Sequence, residues 1–106
     1  FTATYNPATA SIDLAWETAS EVDIIGFNVW RGTSEFAVGE QLNEEQMAVS
    51  NPGQMDGATY TYTDADVAFG TTYYYWIEII GLDGSRERVG PQDAFAGFRL
   101  FMPFIH

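Results

Sequence analysis

Apolar and polar residues alternate along much of this chain with a period of two, which is the pattern of half-buried β-strands. The clearest example begins at residue 12, where Ile12, Leu14 and Trp16 alternate with polar or small residues. Clusters of Asn, Asp, Gly and Pro separate such runs and mark turns. Five further segments fit strands, namely residues 1–5, 27–32, 59–64, 71–80 and 86–89.

The longest of these runs, residues 71–80, has a β-forming residue at almost every position. One of its faces, formed by the odd-numbered residues from 73 to 79, is apolar enough to line a core. The other face carries Tyr74 and Trp76, two aromatic residues that are unusual on a face exposed only to solvent. Together the strands predict a core formed by Trp16, Phe27, Val29, Tyr73, Tyr75 and Ile77.

The segments between the clear strands give weaker signals. Residues 40–43 fit an edge strand, and residues 43–48 fit one helical turn capped by Asn43. Residues 82–85 fit a hairpin turn. Because proline is poorly tolerated inside a central strand, Gly90-Pro91 places the strand that begins at Arg86 at a sheet edge or a bulge.

Composition limits the classes of protein that this chain can belong to. Its 106 residues are enough for one domain that buries a core without covalent staples, and there is no cysteine. Fifteen acidic residues against four Arg give a net charge of -11, which disfavours nucleic acid and anionic membranes as partners. No apolar run approaches the roughly 20 residues of a membrane helix, so membrane insertion is not expected.

No constellation of catalytic residues is recognisable. The single histidine, His106, is the last residue, and there is no Gly-rich phosphate loop or two-His metal motif. We therefore expect neither an enzyme nor a bound cofactor. Two groups of acids are expected to be ordinary loop carboxylates, with calcium as the alternative: Asp64 and Asp66, and Glu17, Glu21 and Asp23.

Three motifs resemble the fibronectin type III domains of bacterial secreted and cell-surface proteins. They are Ile12-x-Leu14-x-Trp16, Gly26-Phe27-Asn28-Val29-x-Arg31 and Val67-x-x-Gly70-Thr71-Thr72-Tyr73-x-Tyr75-x-Ile77. The resemblance covers most of residues 1–95 and implies an all-β, immunoglobulin-like antiparallel β-sandwich. It implies that Trp16 is central to the core and that the Tyr73 hydroxyl bonds the backbone near Val67.

The resemblance also implies an extracellular or cell-surface location. The chain starts at Phe1 rather than Met, as it would after removal of a secretory signal peptide.

The chain departs from this family near its end, so we expect a sandwich over residues 1–97 and an apolar extension over residues 98–106. Both faces of the extension are apolar, and full burial of one such side chain contributes roughly 1.5–3 kcal/mol. It can return to its own domain as an extra C-terminal strand, or it can join a sheet of another molecule. The residues expected to mediate self-association are Phe98, Leu100, Phe101, Met102, Phe104 and Ile105.

A second candidate surface is aromatic. Trp30, Tyr74 and Trp76 are expected on the outer face of one sheet, because each is opposite in parity to core residues. Three explanations fit these exposed aromatic residues. The extension or residues 39–49 cover them, they form a protein interface, or they form a platform on which sugars stack.

Two classes of function follow from these surfaces. The first is a non-enzymatic extracellular structural subunit that associates with copies of itself into a fibre or filament, through strand exchange or docked sheet faces. The alternative is an accessory spacer or carbohydrate-binding module of a larger secreted enzyme.

Overall fold

The computed structural model describes residues 1–98 and shows eight β-strands. They are β1 (Thr2–Asn6), β2 (Ser11–Glu17), β3 (Ile24–Gly32), β4 (Glu40–Gln41), β5 (Met47–Ala48), β6 (Thr59–Asp64), β7 (Thr71–Gly81) and β8 (Arg86–Ala96). Within these residues there is no helix long and apolar enough to span a membrane. The predicted extra C-terminal strand falls in residues 98–106, of which only Phe98 is described.

The strands form two antiparallel sheets. One has the order β1-β2-β6, and the other has the order β4-β3-β7-β8, with β5 also paired to β3. Side chains from both sheets meet in one hydrophobic core. The predicted all-β sandwich is confirmed.

The core contains every residue that the strand pattern assigned to it. Trp16, Phe27, Val29, Tyr73, Tyr75 and Ile77 are all buried. At its centre Trp16 stacks on Tyr60 with ring centroids 5.7 Å apart, and it meets Phe27 edge-on at the same distance. Phe27 and Tyr60 lie 4.7 Å apart, so one aromatic cluster joins the two sheets.

Strand β8 lies at the edge of its sheet and is irregular where Gly90-Pro91 occurs, as predicted. The register of β7 and β8 shifts between Tyr75 and Ile77, directly opposite this dipeptide. Gly90 has a φ of +122°, and a Cβ there would lie 2.7 Å from the carbonyl oxygen of Tyr75. Only glycine fits this position.

The edge strand expected at residues 40–43 is present as β4, but the helical turn expected at residues 43–48 is wrong. Asn43 does not cap a helix. Its side-chain oxygen accepts the Val29 amide hydrogen bond at 2.7 Å, and its amide group donates to Asn28 at 2.9 Å. Asn43 thus satisfies the edge of β3 in the gap between β4 and β5, and the chain stays extended.

Candidate interaction surfaces

The loop between β6 and β7 is held by the hydroxyl group of Tyr73. This oxygen accepts a hydrogen bond from the Ala68 amide at 2.8 Å, so the predicted bond near Val67 is confirmed. The next residue, Phe69, leaves 71% of its surface exposed, although the residues on both sides of it are hydrogen-bonded through their backbone amides. The loop therefore presents a large apolar ring to solvent.

Phe69 is joined by the last described residue, Phe98. Their ring centroids lie 6.2 Å apart with a tilt of 60°, and Phe98 is also 71% exposed. We call these two rings the Phe69–Phe98 patch. Exposed Phe36 and Val38 lie in the β3–β4 loop, which leaves its sheet at the same end of the sandwich. This end is apolar where the C-terminal segment begins.

Most of the predicted self-association residues lie beyond this patch. Phe98 is exposed, as a contact residue needs to be. The others, Leu100, Phe101, Met102, Phe104 and Ile105, are outside the described residues.

The predicted aromatic face is formed by β3 and β7. Trp30 and Trp76 are directly opposite each other in the register of these strands, on the face that points away from the core. Tyr74 shares this face and lies opposite Gly32 and Asp93. The three residues are therefore on one side of one sheet, as expected.

This face is less open than its composition indicates, because Arg88 covers it. The Arg88 guanidinium lies 4.2 Å from the ring centroid of Trp30 and 5.7 Å from that of Trp76. It also donates a 2.7 Å hydrogen bond to the carbonyl oxygen of Val38, which ties the β3–β4 loop to the sheet. Trp76 is only 6% exposed. A planar ligand can stack on these indoles only if Arg88 moves.

Beyond the two indoles, the same face carries a network of polar side chains. The Glu78 carboxylate accepts hydrogen bonds from Asn28 at 2.9 Å and from Arg86 at 3.0 Å. Burial opposes its ionisation most strongly, but the hydrogen bond from Asn28 and the charge and hydrogen bond of Arg86 contribute to lowering the pKa of Glu78. Glu78 is therefore a charged structural anchor for this sheet face.

Glu21, one of the acids considered for calcium, is not on the surface. It is completely buried and accepts hydrogen bonds from the Tyr60 hydroxyl, from the Asn51 amide at 2.7 Å and from the Thr18 hydroxyl at 2.9 Å. Burial acts to raise the pKa of Glu21, yet these bonds outweigh it and the pKa is lowered. The carboxylate joins the β2–β3 loop to the β5–β6 loop.

Asp64, from the other acidic group, is also an internal residue. It forms an ion pair with Arg31 at 3.0 Å and accepts a 2.7 Å hydrogen bond from the Tyr75 hydroxyl. Burial, followed by this bond, strongly raises the pKa of Tyr75. Arg31 also pairs with Glu40 at 2.5 Å, so residues of four strands, β3, β4, β6 and β7, are joined at this point.

The remaining acids of the two groups, Glu17, Asp23 and Asp66, are exposed. No cluster of three or more His, Cys, Asp or Glu side chains that could hold a metal ion occurs within residues 1–98. The two most buried acids of these groups hold loops and strands together instead.

Neither Glu21 nor the Asp64 ion pair was predicted from the sequence. Arg31 did carry a signal, because it has the same parity as Phe27 and Val29 and so points inward. An inward arginine requires a buried acid as its partner. Glu21 gave no comparable signal, since its partners come from its own loop, from the β5–β6 loop and from the distant strand β6.

Comparison with known proteins identifies the fold. No protein-family model matches the chain, and no curated protein matches it significantly. Among solved structures, it is similar to the crystal structure of a Fn3-like protein from Clostridium thermocellum. That match has a TM-score of 0.64 at 20% sequence identity, and it covers 95% of this chain and 91% of the other.

The sheet order, the aromatic core and this likeness define the class of protein. The chain folds as a fibronectin type III-like domain. At this level of identity the likeness establishes the fold alone, and such sandwiches serve many functions.

Proposed function

We propose that this chain is a non-enzymatic structural module that associates with copies of itself through its apolar C-terminal segment, residues 98–105. The observation that supports this most directly is the Phe69–Phe98 patch. Two phenylalanine rings, each 71% exposed, lie together at the point where the apolar segment begins. Contiguous apolar patches on the surface of a protein mark interaction sites when they are large, and the apolar segment that begins at Phe98 extends this one in the sequence.

The segment that starts at this patch has the composition of a buried strand. Six of the eight residues from 98 to 105 are Phe, Leu, Met or Ile, and both faces of an extended chain would be apolar. Burial in a neighbour's sheet satisfies the backbone groups and removes these side chains from water in one step.

A catalytic role is not supported by the acids of the described residues. The buried carboxylates, Glu21, Asp64 and Glu78, are each held by at least two hydrogen bonds from neighbouring groups of the fold. We expect background rates only when the purified protein is incubated with glycoside, ester and peptide substrates. Turnover that disappears when a single Asp or Glu is replaced would refute this part of the proposal.

Analytical ultracentrifugation over a concentration series tests self-association. We expect the full chain to associate, and a variant that lacks residues 98–106 to be monomeric yet folded, because all eight described strands end by Ala96. Phe69→Ser should weaken association, whereas Phe36→Ser, which removes an even more exposed ring outside the patch, should not. A full chain that is monomeric at high concentration would refute the proposal, as would a truncated variant that associates like the full chain.

The alternative function is an accessory spacer or carbohydrate-binding module. The paired indoles of Trp30 and Trp76 support it. Binding would require Arg88 to leave the rings. Titration with a panel of soluble glycans, followed by tryptophan fluorescence, tests it. Saturable binding by a monomeric protein would favour this alternative over self-association.

An extracellular or cell-surface location is part of the proposal and follows from the resemblance to secreted fibronectin type III domains. Limited proteolysis of intact source cells, read with an antibody against the sandwich, tests it. Cleavage only after lysis would contradict this location.

A further inference from the structure

We infer that the free edge of β6 is the surface that receives the C-terminal segment of a second copy of this chain. The inference rests on the proposed self-association and specifies the strand at which it occurs. Within residues 1–98, the only strand that pairs with β6 is β2. The opposite edge of β6 therefore offers unpaired backbone groups to an added strand.

The sequence of β6 lacks the features that prevent strand addition. Its six residues, TYTYTD, are five strong β-formers followed by Asp64, and they include no Gly, Pro or Lys. The one charge, Asp64, points inward to its ion pair with Arg31. Three exposed threonines, Thr59, Thr61 and Thr63, form the solvent side, so an apolar strand that lies beside them covers no charge.

The other edges are protected. β8 carries Arg86, Glu87 and Arg88 and is interrupted at Gly90-Pro91, and each of these features opposes pairing. β4 and β5 have two residues each and are too short to guide a partner. β1 lies against β8 of the other sheet, which restricts access to its outer edge. Among the strands of residues 1–98, β6 alone has an edge that is both regular and open, and its single charge, Asp64, points inward.

The length and position of the segment favour a second copy over the same chain. Eight extended residues, 98–105, reach about 26 Å, which is more than the roughly 20 Å of β6. The segment leaves from β8, however, and β8 lies beside β1, two strands away from β6 in the first sheet. Crossing that width of about 10 Å would consume three residues and leave five, fewer than the six of β6, whereas a segment from a second copy can align its full length with that strand.

Cysteine cross-linking tests this inference, because the natural chain has no cysteine. Full-length Met102→Cys is mixed with full-length Thr61→Cys on β6 and treated with a short bismaleimide. Matched mixtures use Glu87→Cys on β8 or Thr2→Cys on β1, which are also exposed. We expect covalent heterodimers with Thr61→Cys in at least about fivefold excess over the two controls. The double variant Thr61→Cys/Met102→Cys should cross-link between chains rather than within one.

The outcomes separate this inference from the proposed function. If the full chain associates in the ultracentrifuge but cross-links equally well at β8 or β1, self-association stands and the β6 edge is wrong. Cross-linking within one chain of the double variant would also refute the inference, because it would show the segment on its own domain. Absence of association refutes both.

Discussion

The stability of this sandwich depends strongly on Glu21, which is a fully buried carboxylate. Three hydrogen-bond donors hold it, and none of the three is a cation. Replacing it with Gln keeps the shape but turns one acceptor oxygen into a donor that faces other donors. We expect Glu21→Gln to lower the free energy of unfolding at pH 7 by about 1–3 kcal/mol in urea denaturation. Glu44→Gln, an exposed acid in the β4–β5 connection, is the control and should have little effect.

The same residue predicts how stability depends on pH. The pKa of Glu21 in the folded protein lies below its ordinary value of 4.5, so the unfolded chain binds the proton more readily. Its contribution is therefore complete above about pH 4.5 and is lost as pH falls through the folded pKa. Thermal unfolding between pH 6 and pH 3 should show a shallower acid decline for Glu21→Gln than for the natural chain. An unchanged slope would show that Glu21 titrates normally in the folded state.

Trp16 is the residue on which the aromatic core depends. Its ring contacts both Phe27 and Tyr60, so truncation would leave a cavity between the sheets. We expect Trp16→Ala to cost roughly 3–5 kcal/mol in a denaturant titration, enough to unfold many domains of this size. A loss below about 1 kcal/mol would mean that Trp16 is not part of the core.

The strands could be predicted from the sequence because each has one polar and one apolar face, and parity alone then identifies the core. Asn43 could not be assigned in this way. As a sequence signal it fits a helix cap, but its role is set by the unpaired edge of β3, which lies fourteen residues away in the chain.

Parity also placed Trp30 and Trp76 correctly on the outer face. It did not predict Arg88 over them, because that contact depends on the register of β8 against β7, which places Arg88 opposite Glu78 and next to Trp76.

Arg88 links three elements, β3, β7 and the β3–β4 loop, through its contacts with Trp30, Trp76 and Val38. We expect Arg88→Ala to expose both indoles and to increase the quenching of tryptophan fluorescence by acrylamide. The loss of stability should be modest, on the order of 0.5–2 kcal/mol, as for other cation–π contacts. Arg88→Lys keeps the charge but loses the planar stacking group. Its fluorescence quenching should therefore lie between that of the natural chain and that of Arg88→Ala. Quenching equal to that of the natural chain would show that other groups cover the rings.

At the scale of the whole molecule, a net charge of -11 opposes the association that the apolar segment favours. Copies that meet through the β6 edge, whose one charge points inward, still bring two acidic surfaces close together. Screening weakens this repulsion, since the Debye length falls from about 30 Å at 0.01 M salt to about 10 Å at 0.1 M. We therefore expect sedimentation equilibrium to show tighter self-association of the full chain as NaCl rises through this range.

The direction of this salt effect distinguishes two mechanisms of association. If apolar burial and backbone pairing hold the copies together, screening strengthens association. If attraction between the few arginines and the many acids holds them together, screening weakens it. The variant without residues 98–106 should be monomeric at both salt concentrations, which excludes general salting-out as the cause. Weaker association at 0.1 M than at 0.01 M would mean that ion pairs, and not the apolar segment, hold the copies together.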